Sequence, residues 1–317
     1  MMPRASSVLI LGSGAMACLF AARLSAATVR VTMLDGWLEG LAALKKFGVR
    51  LAMPDGVQTY PVRATHNPRA CVGIPYALVL VKSWQTESAA RQLAECLPQG
   101  GMALTLQNGL GNSEILAQIL GAERVAVGTT TAGATLEAPG LTRPTGSEDV
   151  TLACCDPNSN LEALLPLVSL LKMTGLAIHT TSNLRSLQWG KLAINTAINP
   201  LSALLNLRNG ELLERPSARA LMAAAAQETS QVAQALGICL PYPDPAAAAE
   251  EVARRTAGNR SSMLQDVLRR APTEIDAICG AVVQHAGQIG MAAPINATLW
   301  RLVRALAVEN PLIPGKE

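Results

Sequence analysis

Hydrophobic and polar positions follow different patterns in the two halves of this chain. In the first half, short apolar runs typical of buried strands, such as Val8–Leu11, Val29–Asp35 and Ala77–Val81, alternate with helical segments such as Ala15–Ser25 and Gln85–Cys96. This alternation predicts a mostly parallel sheet covered by helices on both faces. Further strands are predicted at Val49–Met53, Val57–Val62, Met102–Leu106 and Arg124–Gly128, and a further helix at Asn112–Leu120.

From about residue 181 the pattern becomes helical throughout, with breaks at glycine and proline. The sequence therefore predicts a Rossmann-type, doubly wound α/β domain over residues 1–180 and an all-helical domain over residues 181–317. The helices predicted in the second half are Leu184–Leu205, Ala218–Leu236, Ala246–Thr256, Ser262–Leu268 and Glu274–Ile289.

Composition excludes several classes of function. Of 317 residues, half are hydrophobic, so the chain can form a real core. The net charge is only +3 and aromatic residues make up 3%, which argues against a nucleic-acid-binding protein. Two apolar stretches could be mistaken for membrane segments. Val8–Phe20 is interrupted by Gly12-Ser13-Gly14, and Ala277–Trp300 contains glutamine, histidine and proline, so no membrane span is predicted.

The cysteines and histidines predict neither a metal site nor a disulfide framework. The seven cysteines include no CxxC pair, and the three histidines are scattered. Unpaired thiols are typical of a reducing compartment, so we expect a cytoplasmic protein.

The sharpest local motif is Gly12-Ser13-Gly14-Ala15-Met16-Ala17, which follows a predicted strand and opens a helix. The first glycine permits a tight turn, and the second lets a pyrophosphate approach the backbone at the positive end of the helix. An ordinary strand-to-helix turn is the alternative. The agreement of strand, turn and helix favours dinucleotide binding.

Asp35 stands at the end of the second predicted strand, 23 residues after Gly12. An acid at this place can accept hydrogen bonds from the adenosine ribose hydroxyls, and it would repel a 2′-phosphate. Alternatively, Asp35 caps a helix that begins near Trp37. The sequence leaves both interpretations open.

Three polar residues of the second half, Lys191, Asn195 and Asn199, recur every four residues and so line one stripe of a helix that is otherwise apolar. Taken alone, the stripe is more typical of a solvated face or of a bond between helices than of a catalytic site. Pro200, next to the stripe, predicts a kink. Glu274 follows Pro272-Thr273 and reads as an acid in the first turn of a helix.

Several motifs, in order along nearly the whole chain, resemble those of the ketopantoate reductase family. This resemblance implies a Rossmann-type domain and a helical domain with the active site in the cleft between them. It also implies reduction of a 2-oxo acid, 2-dehydropantoate, by a nicotinamide cofactor in the pantothenate pathway. Besides the glycine loop, the similar segments are Lys82–Thr86, Gln107–Gly111, Gly128–Thr131, Lys191–Leu201, Asn209–Leu212, Asn259–Asp266 and Thr273–Asp276.

The resemblance also implies roles for single residues. Lys191 would be the general acid that protonates the carbonyl oxygen, and Glu274 would hydrogen-bond near the nicotinamide and the reacting oxygen. Asn108 would touch both the nicotinamide ribose and the substrate. The expected substrate ligands are Asn195, Asn199, Asn209, Asn259 and Ser262, and Lys82, Gln85 and Ala134 would line the cofactor groove beside the glycine loop.

The chain departs from the family pattern at the end of the second strand. NADPH-dependent members place a basic residue there, whereas this chain has Asp35 followed by Gly36. The resemblance implies NADPH, but the residues favour NADH, because an acid would repel the 2′-phosphate. Lys45, Lys46 or Arg63 could restore phosphate binding.

Two other functions fit the same residues. One is an NAD-dependent D-2-hydroxy-acid dehydrogenase for branched or aromatic 2-oxo acids. The other is a dinucleotide-binding sensor without catalysis, against which the presence of Lys191, Asn195 and Glu274 argues. In each case the partner is a small molecule, and the apolar helical domain makes a homodimer plausible.

Overall fold

The alternating runs of the first half form a ten-stranded sheet in the computed structural model, which describes residues 7–307 apart from the side chains of residues 146–148 and 307. Nine strands follow the order β4-β3-β9-β8-β7-β6-β1-β2-β5, and β10 pairs with β9. The pairs β3–β4 and β8–β9 are antiparallel and the others are parallel. The strands are β1 (Ser7–Leu11), β2 (Arg30–Leu34), β3 (Val49–Met53), β4 (Gly56–Tyr60), β5 (Arg63–Thr65), β6 (Tyr76–Val79), β7 (Met102–Thr105), β8 (Val125–Ala138), β9 (Leu141–Cys154) and β10 (Ala177–Thr180).

Helices cover both faces of this sheet. In β1, Val8 and Ile10 pack into one apolar cluster with Phe20, whereas Leu9 packs into a second cluster on the opposite face with Leu93. Successive residues of a strand point to opposite faces, so two clusters on one strand mean two covered faces. The helices of this part are α1 (Ala15–Ala26), α2 (Leu38–Phe47), α3 (Thr86–Cys96), α4 (Asn112–Leu120) and α5 (Leu165–Lys172).

The second half forms helices throughout, which confirms the predicted fold class together with the mostly parallel sheet. A separate apolar core lies among these helices. They are α6 (Leu184–Leu205), α7 (Pro216–Ala235), α8 (Pro245–Arg255), α9 (Ser262–Leu268), a π-helical turn at Asp276–Gly280, α10 (Ala281–Gln288) and α11 (Pro294–Ala307).

The chain packs as two compact units, and it passes from one unit to the other more than once. Of the described residues, one unit contains residues 7–107 and Asn112–Leu184, and the other contains Asn108–Gly111 and residues 185–307. Four residues from the middle of the α/β half therefore belong with the helices. The domain limits 1–180 and 181–317 stay a prediction, and their outer ends lie outside the described residues.

The long β8–β9 hairpin was predicted only as a short strand ending at Gly128. The strand continues past Gly128, and glycine permits close packing within it. A Cβ on Gly128 would lie 2.6 Å from the Leu106 side chain, and one on Gly133 would lie 2.7 Å from Thr145. The short strands β5 and β10 were missed as well.

Two prolines bear on the limits of the helices. α6 runs through Pro200 to Leu205, which confirms the predicted limits Leu184–Leu205, and the kink at Pro200 stays a prediction. Pro294 was interpreted as a break, but it is the first residue of α11, where its missing N–H costs nothing. The predicted helix Glu274–Ile289 is divided, because its first part, Asp276–Gly280, is a π-helix.

Two further properties concern the described residues alone. Within residues 7–307, none of the helices combines the length and the apolar character that crossing a membrane requires. All seven cysteines are free thiols, and four of them are buried.

The start of α11 depends on a buried carboxylate of α7. Glu228 is only 7% exposed. Its Oε2 accepts a hydrogen bond from the Ile295 amide at 2.9 Å, and its Oε1 accepts from the Asn296 amide at 2.7 Å and from Asn296 Nδ2 at 2.9 Å. The acid thus satisfies amides that a helix N-terminus leaves without intrahelical partners.

We expect Glu228→Ala to lower the free energy of unfolding by about 1–3 kcal/mol, since it leaves buried amide donors unpaired. Glu228→Gln, which keeps one acceptor oxygen, should lose less. Urea unfolding followed by circular dichroism measures both. As a control, Glu251→Ala removes an exposed acid of α8 and should change the stability by less than about 0.5 kcal/mol. Equal stability of the Ala and Gln variants would contradict the capping role.

Candidate active site

The glycine loop between β1 and α1 leaves backbone amides open at the start of the helix. Gly12 has φ +111°, and a Cβ there would lie 3.0 Å from the Leu80 carbonyl oxygen, so the turn needs glycine. Gly14 is the N-cap of α1, and a Cβ added to it would meet no described atom within 4 Å. Because Gly14 has no side chain, the N-cap residue itself provides no hydrogen-bond acceptor for the amides of the first turn. The loop therefore fits an anionic phosphate group.

Asp35 is joined both to this loop and to the start of the helix that follows it. Its Oδ2 accepts a hydrogen bond from the hydroxyl of the fully buried Ser13, and its Oδ1 accepts from the Gly36 amide at 2.7 Å and from the Trp37 amide at 3.4 Å. Trp37 is the N-cap of α2, so Asp35 stands two residues before the N-cap position and binds the amide of the N-cap residue. A carboxylate held beside the glycine loop fits the ribose hydroxyls of a dinucleotide.

Two of the cations that could restore phosphate binding lie at other elements. Lys46 Nζ lies 4.8 Å from the centre of the Phe47 ring, at the far end of α2 from Asp35. Arg63 lies in β5, where it pairs with Thr32, two residues before the end of β2. Asp35, in contrast, is joined directly to the glycine loop through Ser13.

Gln107, to which the sequence analysis gave no role, holds the segment that follows β6. Gln107 Nε2 donates to the Val81 carbonyl and to Thr86 Oγ1, both at 2.9 Å. These bonds hold the segment that contains Lys82, whose amide donates to Gln85 Oε1 at 3.2 Å. Ala134, the other residue expected to line a cofactor groove, lies in β8 opposite Pro144.

On α6, the stripe formed by Lys191, Asn195 and Asn199 is not a solvated face. Asn199 is 6% exposed, and the other two residues are partly buried. Asn195 Nδ2 is buried and, among the described residues, has no hydrogen-bond partner. A buried donor without a partner is costly, so this amide points to a ligand that completes it.

Lys191, Glu274 and Asn108 are brought together within the helical unit. Burial lowers the pKa of the Lys191 ammonium group from 10.5 to about 8, and the Glu274 carboxylate acts against this by raising it. Glu274 is 5% exposed, and its Oε2 accepts a hydrogen bond from Asn108 Nδ2 at 3.2 Å. The group combines an amine that can release a proton near neutral pH with a carboxylate that keeps it charged.

The π-helical turn explains how Asn108 reaches Glu274. The Leu110 amide donates to the Ala277 carbonyl at 2.9 Å, which docks the loop on the turn. Gly109 has φ +83°, and a Cβ there would lie 2.3 Å from the Ala277 oxygen, so only glycine allows this approach. π-helical turns are frequent at functional sites, and here one turn supports the acid of the site.

The remaining predicted ligands form two further groups. The Asn209 amide donates to the Asn259 carbonyl at 3.0 Å, and Asn209 Nδ2 donates to Thr256 Oγ1 at 2.8 Å. Asn209 Oδ1 is buried and has no hydrogen-bond partner among the described residues. Ser262 is the first residue of α9.

A serine pair that the sequence analysis missed joins α9 to α6. Ser261, the N-cap of α9, hydrogen-bonds through its hydroxyl to the hydroxyl of Ser202. Ser202 in turn donates to the Asn199 carbonyl at 3.1 Å. The start of α9, with Ser262, is thereby tied to the polar stripe of α6. Serine is common on surfaces and in caps, so the sequence carried no signal for this contact.

The polar residues of this site are not those of a metal centre. Among residues 7–307, no group of three or more His, Cys, Asp and Glu side chains is arranged to hold a metal ion. The residues brought together are amides, hydroxyls, one amine and one carboxylate, which suit an organic acid and a proton transfer.

Known proteins resemble this chain over almost its whole length. Two family models match it, "Ketopantoate reductase PanE/ApbA" over residues 8–157 and "Ketopantoate reductase PanE/ApbA C terminal" over residues 183–307. The 2-dehydropantoate 2-reductase of Halobacterium salinarum is 35% identical over 300 residues, which cover 94% of this chain and 97% of that protein.

Two solved structures are similar as well. The PanE/ApbA family ketopantoate reductase of Ralstonia eutropha JMP134 superimposes with a TM-score of 0.86 at 29% identity, over 96% of this chain and 99% of that one. A D-mandelate dehydrogenase, solved with NADH and anilino(oxo)acetate, superimposes with a TM-score of 0.89 at 25% identity, over 96% of this chain and all of that one.

We expect Lys191 to titrate with a pKa near 8, because its ammonium group is buried. Glu274→Gln should lower this pKa further, since the variant removes the negative charge that raises it. The Cε chemical shift of ¹³C-labelled lysine, followed by NMR against pH, measures both values, and Lys191→Ala identifies the signal. A pKa of 10.5 in the wild type, or a higher pKa in Glu274→Gln, would contradict the arrangement.

Proposed function

Because this chain belongs to the ketopantoate reductase family, we propose that it reduces 2-dehydropantoate to D-pantoate with a nicotinamide cofactor, as a step of pantothenate biosynthesis. It is an oxidoreductase acting on a CH–OH group. The observation that carries the proposal is the Lys191, Glu274 and Asn108 group in a chain whose two halves both match the family.

The residues of the α/β unit fit a nicotinamide dinucleotide. The open amides at Gly14 suit the pyrophosphate, and the Asp35 carboxylate suits the ribose hydroxyls. Lys82 and Gln85 line the groove after β6. When bound, the cofactor supplies the hydride. Everything else in the reaction falls to the side chains of this protein.

Lys191 supplies the proton. As a hydride arrives at the substrate carbonyl carbon, negative charge develops on the carbonyl oxygen. The Lys191 ammonium stabilises that charge and transfers a proton from Nζ to the oxygen. A general acid works best with a pKa near the operating pH, and the pKa of about 8 meets this condition.

Glu274 and Asn108 support this step without giving up a proton of their own. The Glu274 carboxylate raises the pKa of Lys191, which keeps the amine protonated at neutral pH. Asn108 donates to Glu274 and thereby orients the carboxylate. Without these two residues, a buried amine would lose its proton more readily and fail as an acid.

The substrate is held by neutral amides and a hydroxyl. Asn195 offers a buried donor and Asn209 a buried acceptor, and both complete their hydrogen bonding with a polar acid. Asn199, Asn259 and Ser262 extend the set. Neutral ligands orient the acid without adding a charge that would disturb the pKa of Lys191.

For the cofactor we propose NADH rather than the NADPH typical of the family. Asp35 is fastened beside the glycine loop, and Gly36 offers no cation to a 2′-phosphate. The D-mandelate dehydrogenase with similar structure was solved with NADH, which supports the same preference.

A second candidate keeps the chemistry and changes the substrate. The similarity to D-mandelate dehydrogenase supports an NAD-dependent D-2-hydroxy-acid dehydrogenase for branched or aromatic 2-oxo acids. A panel of 2-oxo acids, assayed with both NADH and NADPH, separates the candidates, because kcat/KM ranks the acids by fit to the transition state. A cytoplasmic location and a homodimer stay predictions.

We expect Lys191→Ala to bind cofactor almost normally but to lose turnover by about a hundred-fold or more, since it lacks the proton donor. Lys191→Arg is the matched control, because it keeps the positive charge but does not release a proton near neutral pH. Steady-state kinetics and a cofactor titration measure the two effects. Near-wild-type kcat in either variant would remove Lys191 from proton transfer.

We also expect kcat/KM to be about ten-fold or more higher with NADH than with NADPH, because like charges meet in a partly desolvated groove. The double variant Asp35→Ala/Gly36→Arg should shift the ratio toward NADPH. Asp55→Ala, which removes an exposed acid in the turn between β3 and β4, should leave it unchanged. A wild type that prefers NADPH, with no gain in the double variant, would show that Asp35 does not face the ribose.

A further inference from the structure

Trp37 is an exposed aromatic side chain two residues after Asp35. It is the N-cap of α2, and 36% of its surface is accessible. Among the described residues the large exposed aromatic side chains are Trp37, Phe47 and Trp84. Ligand sites are lined mainly by apolar and aromatic side chains, and Trp37 follows directly on the residues that lie beside the glycine loop.

Gly40 provides the seat for this ring. A Cβ on Gly40 would lie 2.4 Å from Cε3 and 2.9 Å from Cδ2 of Trp37, so the six-membered ring of the indole rests directly on the glycine. Glycine is unfavourable inside a helix compared with alanine. Here Gly40 leaves room for the ring. Gly40 is buried, whereas the indole of Trp37 is exposed.

The same contact places the indole beside the residues that hold Asp35. The Cβ built on Gly40 would also lie 2.9 Å from Ser13 Oγ, and that hydroxyl donates to the Asp35 carboxylate. Trp37, Gly40, Ser13 and Asp35 therefore form one cluster at the carboxyl ends of β1 and β2. We call it the Trp37 cluster.

We propose that the indole of Trp37, seated on Gly40, is the platform on which the adenine ring of the cofactor stacks. This inference rests on the proposed function. If Asp35 accepts hydrogen bonds from the adenosine ribose, the base attached to that ribose lies one sugar ring away from the carboxylate. The exposed indole, two residues along the chain, offers a flat apolar surface, and aromatic side chains stack on bases of any sequence.

The choice of tryptophan also bears on cofactor selection. An arginine at this position would stack on adenine and, at the same time, bring a positive charge for a 2′-phosphate. An indole also stacks on adenine but carries no positive charge. The Trp37 cluster thus recognises adenosine through a neutral platform and an acid that takes the ribose hydroxyls, which suits NADH.

The test compares three ligands by isothermal titration of the full-length protein. These are NADH, ADP-ribose, which carries the adenosine but no nicotinamide, and reduced nicotinamide mononucleotide, which carries no adenosine. Trp37→Leu should raise the Kd of NADH and of ADP-ribose about ten-fold or more and leave the mononucleotide unchanged. Trp37→Phe, which keeps a ring, should stay within about three-fold of the wild type.

Two further variants locate the effect. Phe47→Leu changes an exposed aromatic residue at the other end of the same helix, about 15 Å away along its axis, and should leave every Kd unchanged. Gly40→Ala should weaken NADH binding by displacing the ring.

Two results would overturn the inference: unchanged NADH binding in Trp37→Leu, or an equal loss for the mononucleotide. Failure of the proposed function looks different. In that case the wild type reduces no 2-oxo acid with either cofactor, whatever the Kd values of the Trp37 variants are.

Discussion

The buried ammonium group of Lys191 is the constraint on which the helical unit depends. Burial favours the neutral amine, and the Glu274 carboxylate opposes this, which leaves a pKa of about 8. Because the unfolded chain holds this proton more tightly, the group destabilises the fold by about 3 kcal/mol at neutral pH, and this cost disappears between about pH 8 and pH 10.5. Folding stability and the protonated fraction of Lys191 therefore change in opposite directions with pH. The helical unit keeps an unfavourable charge at the residue that we propose as the proton donor.

Much of the fold could be predicted because most elements follow the periodicity of their apolar residues. α6 and α9 were predicted with their exact limits. The failures have physical causes that lie in distant partners. β8 continues past Gly128, where the predicted strand ended, because it pairs with β9 as far as Ala138. Pro294 starts a helix instead of ending one, because Glu228, 66 residues earlier, supplies the cap.

In the candidate site, too, local patterns could be predicted and distant contacts could not. A four-residue spacing was enough to align Lys191, Asn195 and Asn199, and a strand-turn-helix pattern was enough to find the glycine loop. The identity of their partners was not predictable. The Ser202–Ser261 pair joins residues 59 apart, and the Asn108–Glu274 bond spans 166 residues. Contacts over such separations depend on how helices pack, which no local pattern encodes.

Because Asn108–Gly111 belongs to the helical unit, that unit is not formed by one continuous segment, which affects whether it can fold by itself. A fragment that begins at Arg185 would lack the loop that covers the π-helical turn, so the Ala277 carbonyl would lose the Leu110 amide and Glu274 would lose Asn108. During synthesis these four residues leave the ribosome long before the helices they join. The helical unit is therefore not an autonomous module, and exchanging it between relatives by cutting at one point would separate the acid of the site from its support.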